Sequence, residues 1–351
     1  IRDRDLPDLE EVFLSNGLRV LFTQRSSVPA TEMLMQFESG YATDPSDKLG
    51  IASVTAAMLV EGASNMSALD IAEQLELLGA SLSASASLDS STVSLSALDN
   101  NIKESLSLFS RIIRRPNFPD KELARDKSNW FDLIVQEQAS PFSIALRQLP
   151  PLLYGKGHAY GIPFTGSGYK DTIRSIERSH LIHFHRTHYS VDNATLIIVG
   201  GLPKSTVVPL LEKYFGDWSK FSPAMVDDVN QSTDMLASAM RKLVPVSAPE
   251  HPVIYLIDKP NAPQSLILGG QLLPPTGDAN AYIIDMASQI LGGSFNSRIN
   301  MNLREDKGWA YGARTMTADA LSQRPLLFYA PVQADKTKES LLELIRETRA
   351  Y

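Results

Sequence analysis

The sequence predicts two domains of related construction, each mixing β-strands with helices. Three observations lead to that reading. The chain has 351 residues, and at roughly 100–200 residues per domain this is material for two cores. It opens with hairpin and strand patterns that give way to helical periodicity. The same order of elements then returns in the second half. Laying Met33 on Ser265, an offset of 232 residues, also lays Leu59 on Leu291 and Gly62 on Ser294. A period that long is a repeated domain, not a solenoid.

The elements follow in order. Val12 to Leu14 and Leu18 to Phe22 alternate apolar and polar residues around Asn16-Gly17, a pair that tolerates positive φ at both turn positions and so predicts a hairpin. A third strand, Met33 to Phe37, ends near Gly40. Beyond the break at Asp44-Pro45, the apolar stretch Leu49 to Val60 predicts a largely buried helix ended by Gly62. Ser67 with Asp70 three residues on forms a capping-box pattern, and Ile71, Leu75 and Leu78 mark one face of a helix that Gly79 stops. Short strands alternate between Ser81 and Leu98. Ile102, Leu106, Phe109 and Ile113 then set a helix that Pro116 closes. Further helices are predicted over Asp120 to Gln138, Phe142 to Leu153, Ser179 to His188 and Thr206 to Phe215, with a β-rich run at Ala194 to Val199.

Periodicity is lost from Ser219 to Glu250, where Ser, Asp, Asn and Pro collect as in an interdomain connector. The expected domains are therefore 1–218 and 251–351, joined by 219–250. The second opens with predicted strands at Val253 to Ile257 and Leu266 to Gly269, separated by the break Pro260 to Pro263, and a helix from Ala279 to Leu291. By the repeat, it lacks a counterpart of Pro119 to Trp218, so the native polypeptide is expected to continue for about half a domain beyond Tyr351. The first residue is Ile1, which leads us to expect that a leader segment was removed.

Composition narrows the function. A formal charge of −7 excludes a basic nucleic-acid footprint. No apolar run approaches the roughly 20 residues of a membrane span. With no cysteine, disulfides, thiolate zinc sites and cysteine nucleophiles are excluded together. Four of six histidines lie in His180 to His188, yet 100° per residue spreads His180 and His183 away from His185 and His188, so four ligands do not converge. No pair has the spacing of a zinc helix. Gly155-Lys156-Gly157 and Gly166-Ser167-Gly168 lack the strand-to-helix setting of a phosphate loop. The Gly-x-Ser-x-Gly elbow of a serine hydrolase is missing.

The most specific stretch is Leu291-Gly-Gly-Ser-Phe-Asn-Ser-Arg298, followed by Leu303-Arg304 and by Gly308-Trp309-Ala310-Tyr311-Gly312. Gly292 and Gly293 end a helix and let backbone pass close to a neighbour. Arg298 to Lys307 reads as a helix stopped by Gly308, and Trp309 to Met316 as a strand. Arg304 then sits on the last helical turn and Tyr311 just inside the strand, facing one solvent cavity. A guanidinium fork and a phenolic donor together suit a peptide carbonyl or a developing oxyanion.

These residues resemble the insulinase/pitrilysin-type metallopeptidases, which include the mitochondrial processing peptidase and two-chain bacterial members. The likeness covers nearly the whole chain and also runs through Asn16 to Val20, Gly50 to Ala52, Phe184 to Arg186, Asn193 to Thr195, Asp258 to Pro260 and Gln264. It implies two related α+β domains, each a mostly antiparallel sheet with helices packed on it, closing like a clam, the second incomplete here. The family's zinc motif, His-x-x-Glu-His, falls on Ser53 to Ala57, where Ser53 and Ala57 replace the ligands and Ala56 the general base. The distal carboxylate falls near Ala124 to Asp126. One carboxylate without imidazoles does not retain zinc. Arg304 and Tyr311 fall on the family's substrate-holding arginine and tyrosine, with Gly292, Gly293, Ser294, Phe295 and Asn296 along the same cavity.

The resemblance therefore implies a non-catalytic subunit, inactive alone and without a metal or other cofactor of its own. It would complete a periplasmic heterodimer with a zinc-bearing homologous peptidase subunit acting on peptides, or form a homodimer when that partner is missing. An exposed sheet edge in such folds takes extended peptide by β-addition. Two other readings stay open: a scaffolding subunit with no part in proteolysis, and an independent hydrolase built on His180 to His188.

Overall fold

The computed structural model describes residues 8–220 and 243–351, so most of the expected connector 219–250 lies outside the described residues. Those residues form two compact units, 8–134 with 166–220, and 135–165 with 243–351.

In the first unit Glu10–Phe13 (β1) and Arg19–Gln24 (β2) pair antiparallel around the predicted turn. Only Gly17 takes a left-handed backbone there, at φ 91°. Asn16 contributes through its side chain instead, whose amide donates to the Phe215 and Trp218 carbonyls at 2.8 and 2.9 Å. Strands Ala30–Phe37 (β3), Ser81–Ala86 (β6), Ser91–Leu98 (β7) and Ala194–Gly200 (β8) complete a six-stranded sheet in the order β1-β2-β8-β3-β7-β6. Gly62–Ala63 (β4) and Met66–Ser67 (β5) pair separately. Within the large sheet only β2 and β8 run parallel. Period-two alternation buries Met33, Met35 and Phe37 of β3 with Val93, Leu95 and Ala97 of β7 on one face.

Helices cover that face. Ile51–Met58 (α1) is apolar almost all round and correspondingly buried. Its start is held by Asp44, whose carboxylate accepts from the Gly50 and Ala52 amides at 2.6 and 3.0 Å. Ala68–Leu78 (α2) carries the predicted capping box between Ser67 and Asp70 and ends at Gly79 in the left-handed region. Ile102–Arg114 (α3) buries Ile102, Leu106, Phe109 and Ile113, each fully buried side chain contributing about 1.5–3 kcal/mol. Asp120–Ala139 (α4), Lys170–Ser175 (α6), Arg178–His188 (α7) and Lys204–Phe215 (α8) follow, with Pro141–Tyr154 (α5) belonging to the second unit. The six-residue α6 has too few turns to show periodicity, so the sequence does not reveal it.

The second unit holds Gln264–Leu273 (β9), Arg314–Thr317 (β10) and Arg324–Gln333 (β11), in the order β10-β11-β9 and antiparallel throughout. That order repeats β6-β7-β3, so the internal repeat read from the sequence is present in the sheet topology. In the first sheet β8 lies on the other side of β3; among the described residues nothing pairs with the other side of β9. Helix α5 lies against β9, where a Cβ on Gly270 would come within 2.7 Å of the Leu153 side chain. Ala281–Ser288 (α9) and Thr337–Ala350 (α10) complete the unit.

One strand prediction fails here and another is shortened. Val253 to Ile257 has no assigned strand and is exposed throughout, Leu256 to 91%. A strand needs a neighbour as well as the right residues, and this run has none among the described residues. The strand predicted over Trp309 to Met316 is confined to Arg314–Thr317, with only an isolated bridge from Ala310 to Val332 before it.

Candidate functional site

Both segments that carry the Arg/Tyr constellation depart from regular helix. After α9 the chain widens into a π-helical turn, Gln289–Gly293. One turn at Arg298–Asn300 widens again into Met301–Asp306. Such turns are uncommon and are found frequently at functional sites. The sequence reading of a plain helix over Arg298 to Lys307 is thus right in extent and wrong in pitch, and Gly308, at φ 65°, ends it as expected.

The glycines have the predicted role. Leu291 and Gly292 are buried, and a Cβ on Gly292 would stand 2.4 Å from the Thr315 amide nitrogen, so only glycine lets this turn lie against β10. Beyond it Ser294, Phe295 and Asn296 are exposed. Asn300, which sequence reasoning missed, ties the two segments together. It is buried, donates from Nδ2 to the Phe295 carbonyl at 2.7 Å and accepts at Oδ1 from the Ala313 amide at 3.0 Å. A polar residue two positions after Arg298, in a stretch otherwise read as an ordinary helix, was the available signal.

Arg304 and Tyr311 come together. Tyr311 lies in the loop before β10, 83% exposed, rather than inside a strand. The Arg304 guanidinium carbon is 5.2 Å from the centre of its ring and 4.7 Å from that of Phe295. Two aromatic rings thus stand within cation–π distance of one cation, and Nε meets Glu305 Oε1 at 3.2 Å. A guanidinium also carries a planar fork of donors suited to an acceptor such as a carbonyl or carboxylate.

The other predicted site, on α1, is built for packing. Thr55 and Ala56 are buried, and Thr55 Oγ1 has no hydrogen-bond partner. Ser53 faces the Gly166–Gly168 loop: a Cβ on Gly166 would sit 3.1 Å from Ser53 Oγ, and one on Gly168 only 2.0 Å from the Leu49 carbonyl oxygen. Ser53, Ala56 and Ala57 offer one hydroxyl and two methyl groups, a donor set that does not fit zinc. Asp126, near the distal position, is engaged by Arg125 at 3.3 Å. No group of three or more His, Asp or Glu side chains able to hold a metal occurs among the described residues. On α7, His185 is buried and its Nε2 meets the Ile113 carbonyl at 2.7 Å. Burial pushes its pKa down to about 4, so it is a neutral core histidine.

A three-strand order that recurs in the two units, each a mostly antiparallel sheet with helices packed on it, defines an α+β protein built on a repeated unit. The chain belongs to the insulinase (M16) peptidase family: residues 19–154 match the family model described as Insulinase (Peptidase family M16), and residues 175–350 the one described as Peptidase M16 inactive domain. It is similar to the uncharacterized zinc protease YmxG of Bacillus subtilis, 23% identical over 95% of this chain and 76% of that protein. A probable mitochondrial-processing peptidase subunit beta of Arabidopsis thaliana is 22% identical over 60% of this chain and 39% of its own length. Among solved structures, the peptidase M16 inactive domain from Pseudomonas fluorescens superposes with a TM-score of 0.81 at 22% identity, covering 98% of this chain and 79% of that one. The periplasmic protease PqqL from Escherichia coli gives 0.73 at 20% identity, covering 97% of this chain and 37% of PqqL. These likenesses establish the fold.

Proposed function

We propose that this chain is a non-catalytic subunit of a two-chain M16 peptidase, supplying Arg304, Tyr311 and the Gly292 to Asn296 turn to a substrate held by a zinc-bearing partner subunit. The observation that carries the reading is a contrast within one chain. Ser53, Ala56 and Ala57 stand where ligands and base are needed, while Arg304 is retained within cation–π distance of Phe295 and Tyr311. A chain that had lost every part in proteolysis would have no use for an arginine and a tyrosine kept together in this way.

In this reading the metal chemistry is the partner's, and this chain's residues bind and orient. The Arg304 fork and the Tyr311 hydroxyl donate hydrogen bonds to the substrate backbone, and the exposed Ser294 to Asn296 segment lines its path. A periplasmic location accords with the likeness to PqqL, which is described as a periplasmic protease.

The test is peptide cleavage by this chain alone, by a zinc-bearing homologue from the same organism alone, and by their mixture, each with and without chelator. Chelator-sensitive activity in the mixture alone is expected. Arg304→Ala or Tyr311→Phe is expected to cut that turnover by about 10- to 1000-fold with assembly intact, since one oxyanion-type donor is worth up to about 4 kcal/mol. Unchanged turnover in both variants leaves a scaffolding subunit; chelator-sensitive cleavage by the lone chain restores the independent hydrolase.

A further inference from the structure

A cavity of about 640 Å³ in the first unit lies between the end of α3, one face of α7 and the segment after α8. Its volume falls within the range of small-molecule sites. Its charge is opposite to that of the chain. Arg114, Arg115, Arg178, Arg186 and Lys220 line it, with Asp217 the one carboxylate among its lining residues, in a protein of formal charge −7. Arg178, Ile182, His185, Arg186 and Tyr189 recur at the spacing that places them on one side of α7, so the clustering follows from the helix itself.

The charges are incompletely matched. Asp217 is already committed to Arg114, at 2.8 Å, and that hydrogen bond holds its carboxyl below the usual carboxylate range, so it stays ionised. Arg114 Nε is nevertheless buried without a hydrogen-bond partner. Arg178 donates to the neutral Phe118 and Asn117 carbonyls, at 2.9 and 3.0 Å, and has no ion-pair partner among the described residues. His185, on the floor, is neutral and neither adds to nor offsets the field. Cations gathered in a concave, partly desolvated site raise one another's energy and focus positive potential into it.

From this geometry we infer that the α3/α7 cavity is a binding site for a small polyanion carrying two or more adjacent oxyanion groups, as in a phosphorylated or polycarboxylate metabolite. Guanidinium forks match such groups with paired, charge-assisted hydrogen bonds. The Arg304 constellation belongs to the other unit.

The test is calorimetric titration of the 351-residue chain with pyrophosphate, inorganic phosphate and citrate, at an ionic strength held constant with sodium chloride. Saturable binding with one site per chain is expected, with pyrophosphate or citrate at least tenfold tighter than phosphate. Arg115 and Arg186 are exposed, so the double variant Arg115→Ala/Arg186→Ala is expected to keep the wild-type circular dichroism while losing at least tenfold in affinity. Lys103→Ala, on the exposed face of α3, serves as the charge control and is expected to bind as the wild type does. The inference is overturned by the absence of saturable binding at matched ionic strength, or by equal losses in the double variant and the control. If the double variant misfolds, Arg186→Gln alone decides on the same criterion.

Discussion

Single residues here do work that their sequence neighbours do not reveal. Asn300 fixes two chain segments through one amide, and the Arg304 cation–π contacts need Phe295 and Tyr311, on either side of it in sequence, to meet in space. His185 is the clearest case with a measurable consequence. Its ordinary pKa of 6.5 applies when the chain is unfolded, whereas burial lowers the folded value to about 4. The unfolded state therefore binds the proton more readily, and the stability His185 contributes is complete above pH 6.5 and lost as pH falls from there toward 4. The loss amounts to about 3 kcal/mol across that window. Urea denaturation at pH 7 and pH 4.5 is expected to show a smaller drop for His185→Gln than for the wild type, by about 2 kcal/mol. Equal drops would mean that the histidine titrates normally in the fold.

At the scale of elements, what is written locally forms as written. The Ser67/Asp70 capping box, the stop at Gly79 and the apolar face of α3 each depend on residues within a few positions of one another, and all are present. Strands depend on partners. Val253 to Ile257 has the residues of a strand yet lies exposed and unassigned, while β9 leaves one edge unpaired among the described residues. Unpaired edges and exposed apolar runs template association. Replacing Ile254 and Leu256 with lysine is accordingly expected to lower self-association of the 351-residue chain, read by light scattering, with the melting temperature unchanged. Identical scattering by variant and wild type would show that this run is not the sticky surface.

For the whole molecule, the two units differ in how completely their sheets are built. Among the described residues, the main sheet of one has six strands over a continuous core, and the sheet of the other has three and a smaller core around Leu291, Ile299 and Leu303. The second unit is therefore expected to unfold first. The tryptophans separate the signals, since Trp130 and Trp218 lie in the first unit and Trp309 in the second. A fluorescence titration with urea should show an early phase that disappears in Trp309→Phe. A single transition common to both proteins would show that the units unfold as one.

The sequence by itself determined most of the elements and their order, the repeat and the family. All of these rest on residue identity and on the order in which local patterns follow one another. Tertiary structure alone decided that the predicted strand at Val253 lies unpaired, that Tyr311 stands in a loop within cation–π distance of Arg304, that two helical turns widen to π pitch, and that five cations share one cavity. Each of those depends on contacts between residues far apart along the chain, whose energies outweigh local preference and leave no periodic trace in it.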